Sequence, residues 1–382
     1  MDEPGLRLPG VVALAVLPLL VAFGWLALTR FDTPSDGTVT GRAAHGWLTD
    51  GIIVDEVYAA DSPLRAGDVV VSLNGIGVDH LAGGPRTHGP RALAPRVGDV
   101  VTYRVERADG PGHAVRPVDL PVRLARYPLA AGVGAHWAVL PLAATMYVVA
   151  TFVVVRRPRQ PAARALYTIT VLLPVTGTSF PLGAQVLEVV AGRLWPYVLG
   201  DLANCLVWGG LLHFALVFPE RPAFLSRWRG LVAATYLSPF ALHAVRLILA
   251  LSGTHGTLPR LQLLTLISQP AAHVQPFAVG IAMVTGYRRR QGDDLARRRM
   301  RWAFVAFATA AVAYLGLGQL PSRIWGRPLV PWDWMVLLFI PFPVALGLAV
   351  LRYRLFDIQI MLRRSIVFGA LTAALGGLYL LW

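Results

Sequence analysis

The chain has no lysine, only one cysteine and little charge: 15% of its 382 residues are charged, against 55% hydrophobic. All 35 basic residues are therefore arginine. With alanine, glycine and proline abundant, this reads as the codon bias of a GC-rich genome and carries no functional signal. The lone Cys205 excludes an intrachain disulfide and any cysteine-based metal site. Catalytic signatures are missing as well. There is no His-Glu-x-x-His, which argues against an intramembrane metalloprotease. There is no Gly-x-Ser-x-Gly elbow, no Walker A loop and no Gly-x-Gly-x-x-Gly in a soluble context. No catalytic residue, metal site or cofactor is expected in these residues.

What is present is a series of long apolar runs, and the composition is too apolar for an ordinary soluble protein of this length. A hydrocarbon core about 30 Å thick takes roughly 20 apolar residues in helical form. Such runs occur at Leu8–Leu28, Ala135–Val155, Ala165–Val190, Leu194–Phe218, Gly230–Leu251, Leu263–Gly286, Met300–Leu320, Val330–Leu351 and Ile366–Trp382. The expected fold class is mainly α: a polytopic helical membrane bundle of about nine spans with one small β-rich insert. The last run stops at Trp382 in mid-stretch, so the sequence reads as continuing beyond it.

The net charge of +14 could suggest nucleic acid, but its position decides otherwise. Arg156, Arg157, Arg159 and Arg164 follow the second run, and Arg221, Arg227 and Arg229 the fourth. Arg288, Arg289, Arg290, Arg297, Arg298, Arg299 and Arg301 separate the sixth from the seventh, and Arg352, Arg354, Arg363 and Arg364 follow the eighth. The connections between them carry only Arg193, Arg260, Arg323 and Arg327. Cationic loops stay cytoplasmic, so the charge reports topology and contact with anionic headgroups of the lipid bilayer. No nucleic-acid partner is expected. Leu8–Leu28 is long for a signal peptide and lacks a small-x-small cleavage site, so residues 8–28 read as an uncleaved anchor.

Residues Phe31–Leu129 change character and form the insert, which the arginine-rich loops place outside the cytoplasm. Short strands are predicted at Gly51–Tyr58, Asp68–Leu73, Asp99–Arg107 and Val118–Leu124, with Asn74-Gly75 as a two-residue hairpin. Gly51-Ile-Ile-Val-Asp-Glu-Val, then Ser62-Pro63, Leu64-Arg-Ala-Gly-Asp-Val-Val70 and Ser72-Leu-Asn-Gly75, resembles the core of bacterial PDZ domains.

That resemblance implies an extracellular peptide bound as an added strand, its carboxylate held by backbone amides. The residues it points to are Gly46, Trp47, Leu48, Thr49, Gly51, Ile52 and Ile53, with strand addition along Gly51–Val57. Two departures stand out. Asp50 lies where an anionic terminus would dock, and the groove-lining stretch Asp79–Pro95 is broken by Gly83-Gly84-Pro85, Gly89-Pro90 and Pro95. A spacer without peptide affinity is the other reading.

Residues 135–382 form the multi-span block. Asp201, Asn204, His213, His243, Arg246, Gln269, His273 and Gln275 are polar positions within its runs, where such groups face the bundle interior. Asp201 and Arg246 sit at a shared depth of roughly 10 Å and are placed to pair, either as a packing contact or as part of a polar site with His273. His213-Phe-Ala-Leu-Val-Phe-Pro-Glu220 and Leu351-Arg-Tyr-Arg-Leu-Phe-Asp-Ile-Gln-Ile-Met-Leu-Arg-Arg-Ser-Ile-Val367 resemble the sensory half of bacterial histidine kinases. The layout is similar to that of competence-type quorum-sensing kinases. The resemblance implies a homodimer and a response regulator as partners, with ATP needed only by a kinase core that these residues lack. The alternatives are a transporter lined by Asp201, Arg246 and His273, or a receptor or scaffold that recruits partners through the insert.

Overall fold

Long apolar runs in lipid must satisfy their own backbone groups, and in this chain they do so as helices. The computed structural model describes residues 8–41, 46–82, 95–108, 115–176, 183–218, 225, 227, 230–253, 255–289, 294–325 and 327–351. Among the described residues, five helical segments are long and apolar enough to cross a membrane: Leu8–Phe31, Val139–Arg156, Trp195–Val217, Gly230–Gly253 and Met300–Ser322. The protein is mainly helical, with a small β region inserted after the first of them.

The first segment is α1 (Leu8–Leu26) continued by a π-turn over Ala27–Phe31. The chain then forms β1 (Pro34–Ser35), β2 (Thr38–Thr40), β3 (Ile52–Val57), β4 (Val69–Leu73), β5 (Ile76–Gly77), α2 (Val78–Ala82), β6 (Val100–Ala108), β7 (Val115–Arg123) and β8 (Ala125–Arg126). Antiparallel pairing gives the order β2-β3-β4-β6-β7, with β5 on β4. β1 pairs separately with β8, Pro34 opposite Arg126, so the insert's entry and exit lie side by side.

The sequence logic of the strands holds. β6 alternates exposed and buried residues, with Val101, Tyr103 and Val105 inward. Asn74 and Gly75 both have positive φ, 49° and 80°, and Leu73 pairs with Ile76 across them, as the hairpin requires. Asp68 explains the turn before β4. It is buried, accepts the Arg65 N–H at 2.8 Å, and takes a two-pronged grip from Arg107: Nε to Oδ1 and Nη2 to Oδ2, both 2.7 Å. β7 is the other end of this order, unpaired on its outer side among the described residues, and Pro117 and Pro121 on it discourage further strand pairing.

The helices that follow are α3 (Leu129–Ala135), α4 (Val139–Arg156), α5 (Pro161–Thr176), α6 (Val186–Val190), α7 (Trp195–Val217), α8 (Gly230–Gly253), α9 (Thr257–Arg288), α10 (Asp294–Ala313), α11 (Leu320–Trp325), α12 (Trp332–Leu337) and α13 (Pro341–Leu351). A π-turn over Tyr314–Gln319 joins α10 to α11. α7 is central and packs on α5, α8 and α9. Adjacent glycines serve opposite sides of it. A Cβ on Gly209 would lie 2.9 Å from Tyr236 Cα of α8, and one on Gly210 would lie 2.9 Å from Ile169 Cγ1 of α5. Small residues at such crossings let backbones approach where no hydrophobic drive exists between helices.

Pro18 interrupts α1. Without its N–H, the Leu14 carbonyl loses its helical partner. The Tyr167 hydroxyl of α5 donates to that carbonyl at 2.7 Å, and the Tyr147 hydroxyl of α4 donates to the Ala15 carbonyl at 2.9 Å.

The third expected span, Ala165–Val190, is not one helix. α5 ends at Thr176, and Gln185–Val190 are buried against the β domain. Gly183, at φ +60°, and extended Gln185 interrupt the run, and Gln185 and Glu188 need polar partners that lipid lacks. The eighth run divides into α12 and α13, where Pro341 and Pro343 remove backbone donors. The ninth run, Ile366–Trp382, lies outside the described residues.

Candidate functional site

The β domain and the helices meet at a polar junction built from four separate segments. Arg30, in the π-turn ending the first span, is 1% exposed. Its Nη1 donates to Glu188 Oε1 of α6 at 2.7 Å. Its Nη2 donates to the Gly183 carbonyl at 2.9 Å and the Tyr197 hydroxyl of α7 at 3.3 Å. Its guanidinium lies 4.7 Å from the ring centroid of Tyr127, where the chain leaves the β domain. The Tyr197 hydroxyl donates to Glu188 Oε2 and lies 3.0 Å from Gly183 O. Arg30 Nε is buried without a hydrogen-bond partner among the described residues, so the pair's other hydrogen bonds offset its desolvation only in part.

A second buried centre lies deeper in the β domain. Asp36 accepts four hydrogen bonds: Thr38 N at 3.0 Å, Thr38 Oγ1 at 2.7 Å, the Tyr103 hydroxyl at 2.8 Å and Leu187 N at 3.0 Å. Val186 N donates to Thr38 Oγ1 at 3.2 Å. The first free N–H groups of α6 are thus capped by residues from the other domain. Ser35 donates to the Gln185 side chain, and Gln185 and Glu188 complete a capping box around the start of α6. Burial and the neighbouring Asp36 carboxylate hold the Tyr103 phenol proton well above the ordinary range.

The apolar core is shared in the same way. Val186, Leu187, Val189 and Val190 of α6 and Leu258 of α9 are buried in one cluster with Ile52, Val54, Leu73, Val78, Leu81 and Tyr103. The β domain is therefore continuous with the helical block.

The residues expected to bind a peptide are placed differently from the sequence expectation. Gly46 and Trp47 are buried, and Trp47 Nε1 donates to Thr265 Oγ1 of α9 at 3.1 Å. Leu48 N donates to Gly51 O at 2.9 Å, closing a turn over exposed Thr49 and Asp50. Gly51, Ile52 and Ile53 offer no open edge. Ile52 and Ile53 pair with Val70 and Val69 on one side. On the other side Ile52 bridges Trp47, while Val54–Val57 pair with β2. Strand addition along Gly51–Val57 is thus excluded, because β3 is an interior strand. The edge strand is β2, and residue Ala184 covers it: Thr40 bridges Ala184 antiparallel, with Thr40 N to Ala184 O at 2.8 Å. Of the expected groove-lining stretch, Val78–Ala82 is helical, and residues 83–94 lie outside the described residues.

In the bundle, Asp201 of α7 lies within electrostatic reach of His243 and Arg246 of α8. Cys205, one turn along α7, shares this surroundings and donates from Sγ to the Pro239 carbonyl at 3.6 Å. His213 Nδ1 and the Tyr236 hydroxyl lie 3.0 Å apart across the same helix pair. His273 belongs to α9, but its side chain lies outside the described residues. Among the described residues no three metal-ligating side chains converge.

Sequence reasoning missed Arg30, Asp36, Glu188 and Tyr197. Glu188 carried a readable signal, a carboxylate within an apparent span, which by itself calls for a named partner.

Compared with known proteins, the chain matches no family model, no curated protein and no solved structure.

Proposed function

We propose that the chain is a membrane-embedded signal sensor: the input region of a two-component histidine kinase, with a PDZ-like domain outside the cytoplasm and about nine spans. The observation that carries this reading is the Arg30–Glu188 junction. It ties the first span, the β-domain exit, α6 and the start of α7 into one polar centre, so a displacement of the β domain must move α1 and α7. Signal transfer needs such a two-state element between an external site and the inner side.

The ends of the bundle support the orientation. Trp25 packs edge-to-face on Trp195, and Trp137 on Trp334, at the end that bears the β domain. Arg156, Arg288 and Arg289 lie at the opposite helix ends, where the positive-inside rule puts the cytoplasm.

The test is a chimera in which residues 1–364 replace the input region of a histidine kinase of known activity, reconstituted in vesicles with ATP. Loosening the junction with Glu188→Gln should change autophosphorylation at least about fivefold, the lower end of the usual range for coupled sites. Equal rates in the two chimeras would overturn the sensor reading.

The Asp201–His243–Arg246 group favours a second reading, a transporter with a polar path through α7 and α8. Solute-dependent flux into vesicles, abolished by Asp201→Asn, is its distinguishing result.

A further inference from the structure

The β domain is fastened to the bundle at its entry and exit, and this sets one of its turns at the height of the lipid headgroups. The first span ends at Phe31, Pro34 of β1 lies opposite Arg126 of β8, and Arg126 Nη2 is 3.8 Å from Asp32 Oδ1. Leu124, two residues before Arg126, is about 7 Å further along an extended chain. The turn Arg96–Asp99 is tied to Leu124 by two hydrogen bonds: Gly98 N donates to Leu124 O and Leu124 N to Asp99 O, each at 2.8 Å. The headgroup region reaches roughly 5–7 Å beyond the hydrocarbon core on each side, so this turn lies in it or beside it.

The turn is stiff, and it carries the residues that such a place favours. Asp99 Oδ2 accepts the Arg96 N–H at 2.7 Å, Asp99 N donates to Arg96 O at 3.1 Å, and Gly98 takes φ +98°. Leu124 behind it is buried in the β-domain core. Outward the turn shows Val97, 47% exposed, and Val100, 60% exposed. Exposed Arg96 flanks them, and exposed Arg123 stands opposite Val100 across the ladder. The nearby carboxylates are engaged, Asp99 with the Arg96 N–H and Asp32 with Arg126. Farther along the same ribbon the charges balance, with Arg104 Nε 3.9 Å from Asp119 Oδ1. The end nearest the spans is therefore both apolar and cationic, the combination that binds an anionic lipid surface.

We infer that the turn Arg96–Val100, together with Arg123, docks the β domain on the bilayer that the chain's own spans cross. Val97 and Val100 enter the headgroup layer, and the Arg96 and Arg123 guanidiniums pair with the phosphates of anionic lipids. Each arginine so placed shifts the docked population by about fivefold. On the sensor reading above, the charge of that leaflet becomes an input to the junction at Arg30; the docking itself does not rest on that reading.

The experiment uses the full chain in lipid nanodiscs, on a Cys205→Ser background, with an environment-sensitive fluorophore on Val97→Cys. Val115→Cys, 56% exposed at the far end of the same ribbon, is the control position. Lipid carrying a spin label just below its headgroup quenches a probe that enters the bilayer. In nanodiscs containing phosphatidylglycerol the Val97 probe should be quenched and the Val115 probe should not. Arg96→Gln should lower the docked-to-undocked ratio about fivefold, and Arg96→Gln/Arg123→Gln about twenty-fivefold. Both arginines are exposed, so an unchanged melting temperature in detergent shows that these variants keep the fold. Equal quenching at the two probe positions would overturn the inference. So would Val97 quenching that is the same in phosphatidylcholine nanodiscs, or that folded arginine variants leave unchanged. A kinase chimera that ignores Glu188→Gln, beside charge-dependent quenching, would overturn the sensor reading alone.

Discussion

Arg30 and Glu188, 158 residues apart in sequence, form an ion pair at 2.7 Å with side chains 0% and 3% exposed. Neither residue lies in a segment that its own local pattern would make polar, since each ends or interrupts an apolar run. The pair is the point where an inserted domain is fastened to the helices on both sides of it.

Removing one partner leaves the other as a buried, uncompensated charge. Arg30→Met or Glu188→Ala should each destabilise the protein by about 3–5 kcal/mol. Thermal unfolding in detergent measures this. The double variant Arg30→Met/Glu188→Met should recover part of the loss but not all of it, because Arg30 also serves Gly183 O and Tyr127. Strictly additive losses would show that the two side chains do not act as a pair.

The Tyr167 hydroxyl answers the carbonyl that Pro18 leaves open. Tyr167→Phe should cost about 1–3 kcal/mol, the range for a buried unsatisfied acceptor. In a Pro18→Ala background the restored N–H supplies the missing bond, so the same substitution should become nearly neutral. A cost of Tyr167→Phe that is the same in both backgrounds would assign the tyrosine a packing role only.

Tyr103 sets a pH limit on the β domain. Its folded pKa lies well above the unfolded value near 10, through burial and the Asp36 carboxylate. The folded state therefore keeps the proton where the unfolded chain releases it. Stability is fully present below about pH 10 and falls beyond it, by up to about 1.4 kcal/mol per pH unit. Tyr103→Phe should lower stability at neutral pH by about 1.5–3 kcal/mol, by removing a hydrogen bond to a carboxylate, and should shallow the alkaline slope. Denaturant midpoints at pH 8 and pH 11 measure both effects.

Topology can be read with a single thiol label. On a Cys205→Ser background, Asp119→Cys on the exposed face of β7 should react with a membrane-impermeant maleimide on intact cells. Arg289→Cys at the far end of α9 should react only after lysis. The reverse pattern would place the β domain in the cytoplasm.

Within the bundle, Asp201→Ala or Arg246→Ala should each lower stability by about 2.5–3.5 kcal/mol, the cost of an uncompensated charge in a span. The double substitution should recover much of that loss in melting temperature, and strictly additive losses would show that the two residues do not meet.

The local grammar of the chain was readable, and the long-range grammar was not. Alternation in Val101, Tyr103 and Val105, and the Asn74-Gly75 turn, carry their structure in two to nine consecutive residues. Helix positions followed from apolar length alone, but length could not distinguish a span from a buried segment. Val186, Leu187, Val189 and Val190 are as apolar as residues of a span, yet they belong to the β-domain core. The expected peptide edge on β3 failed for a related reason. Which edge of a strand is free depends on pairing with β2 across a turn, a relation that the residues of β3 do not encode. The shared depth of Asp201 and Arg246 follows from counting residues along two helices. The meeting of Arg30 and Glu188 does not, because it depends on how the insert returns the chain to the membrane.

The notch at Pro18 has a consequence for biosynthesis. The first helix leaves the ribosome with a bare carbonyl at Leu14, and its partner Tyr167 follows 153 residues later. At roughly 5–20 residues per second the interval is about 8–30 s. During that time the first helix carries an acceptor for which the hydrocarbon core offers no donor, and the arrival of α5 meets it.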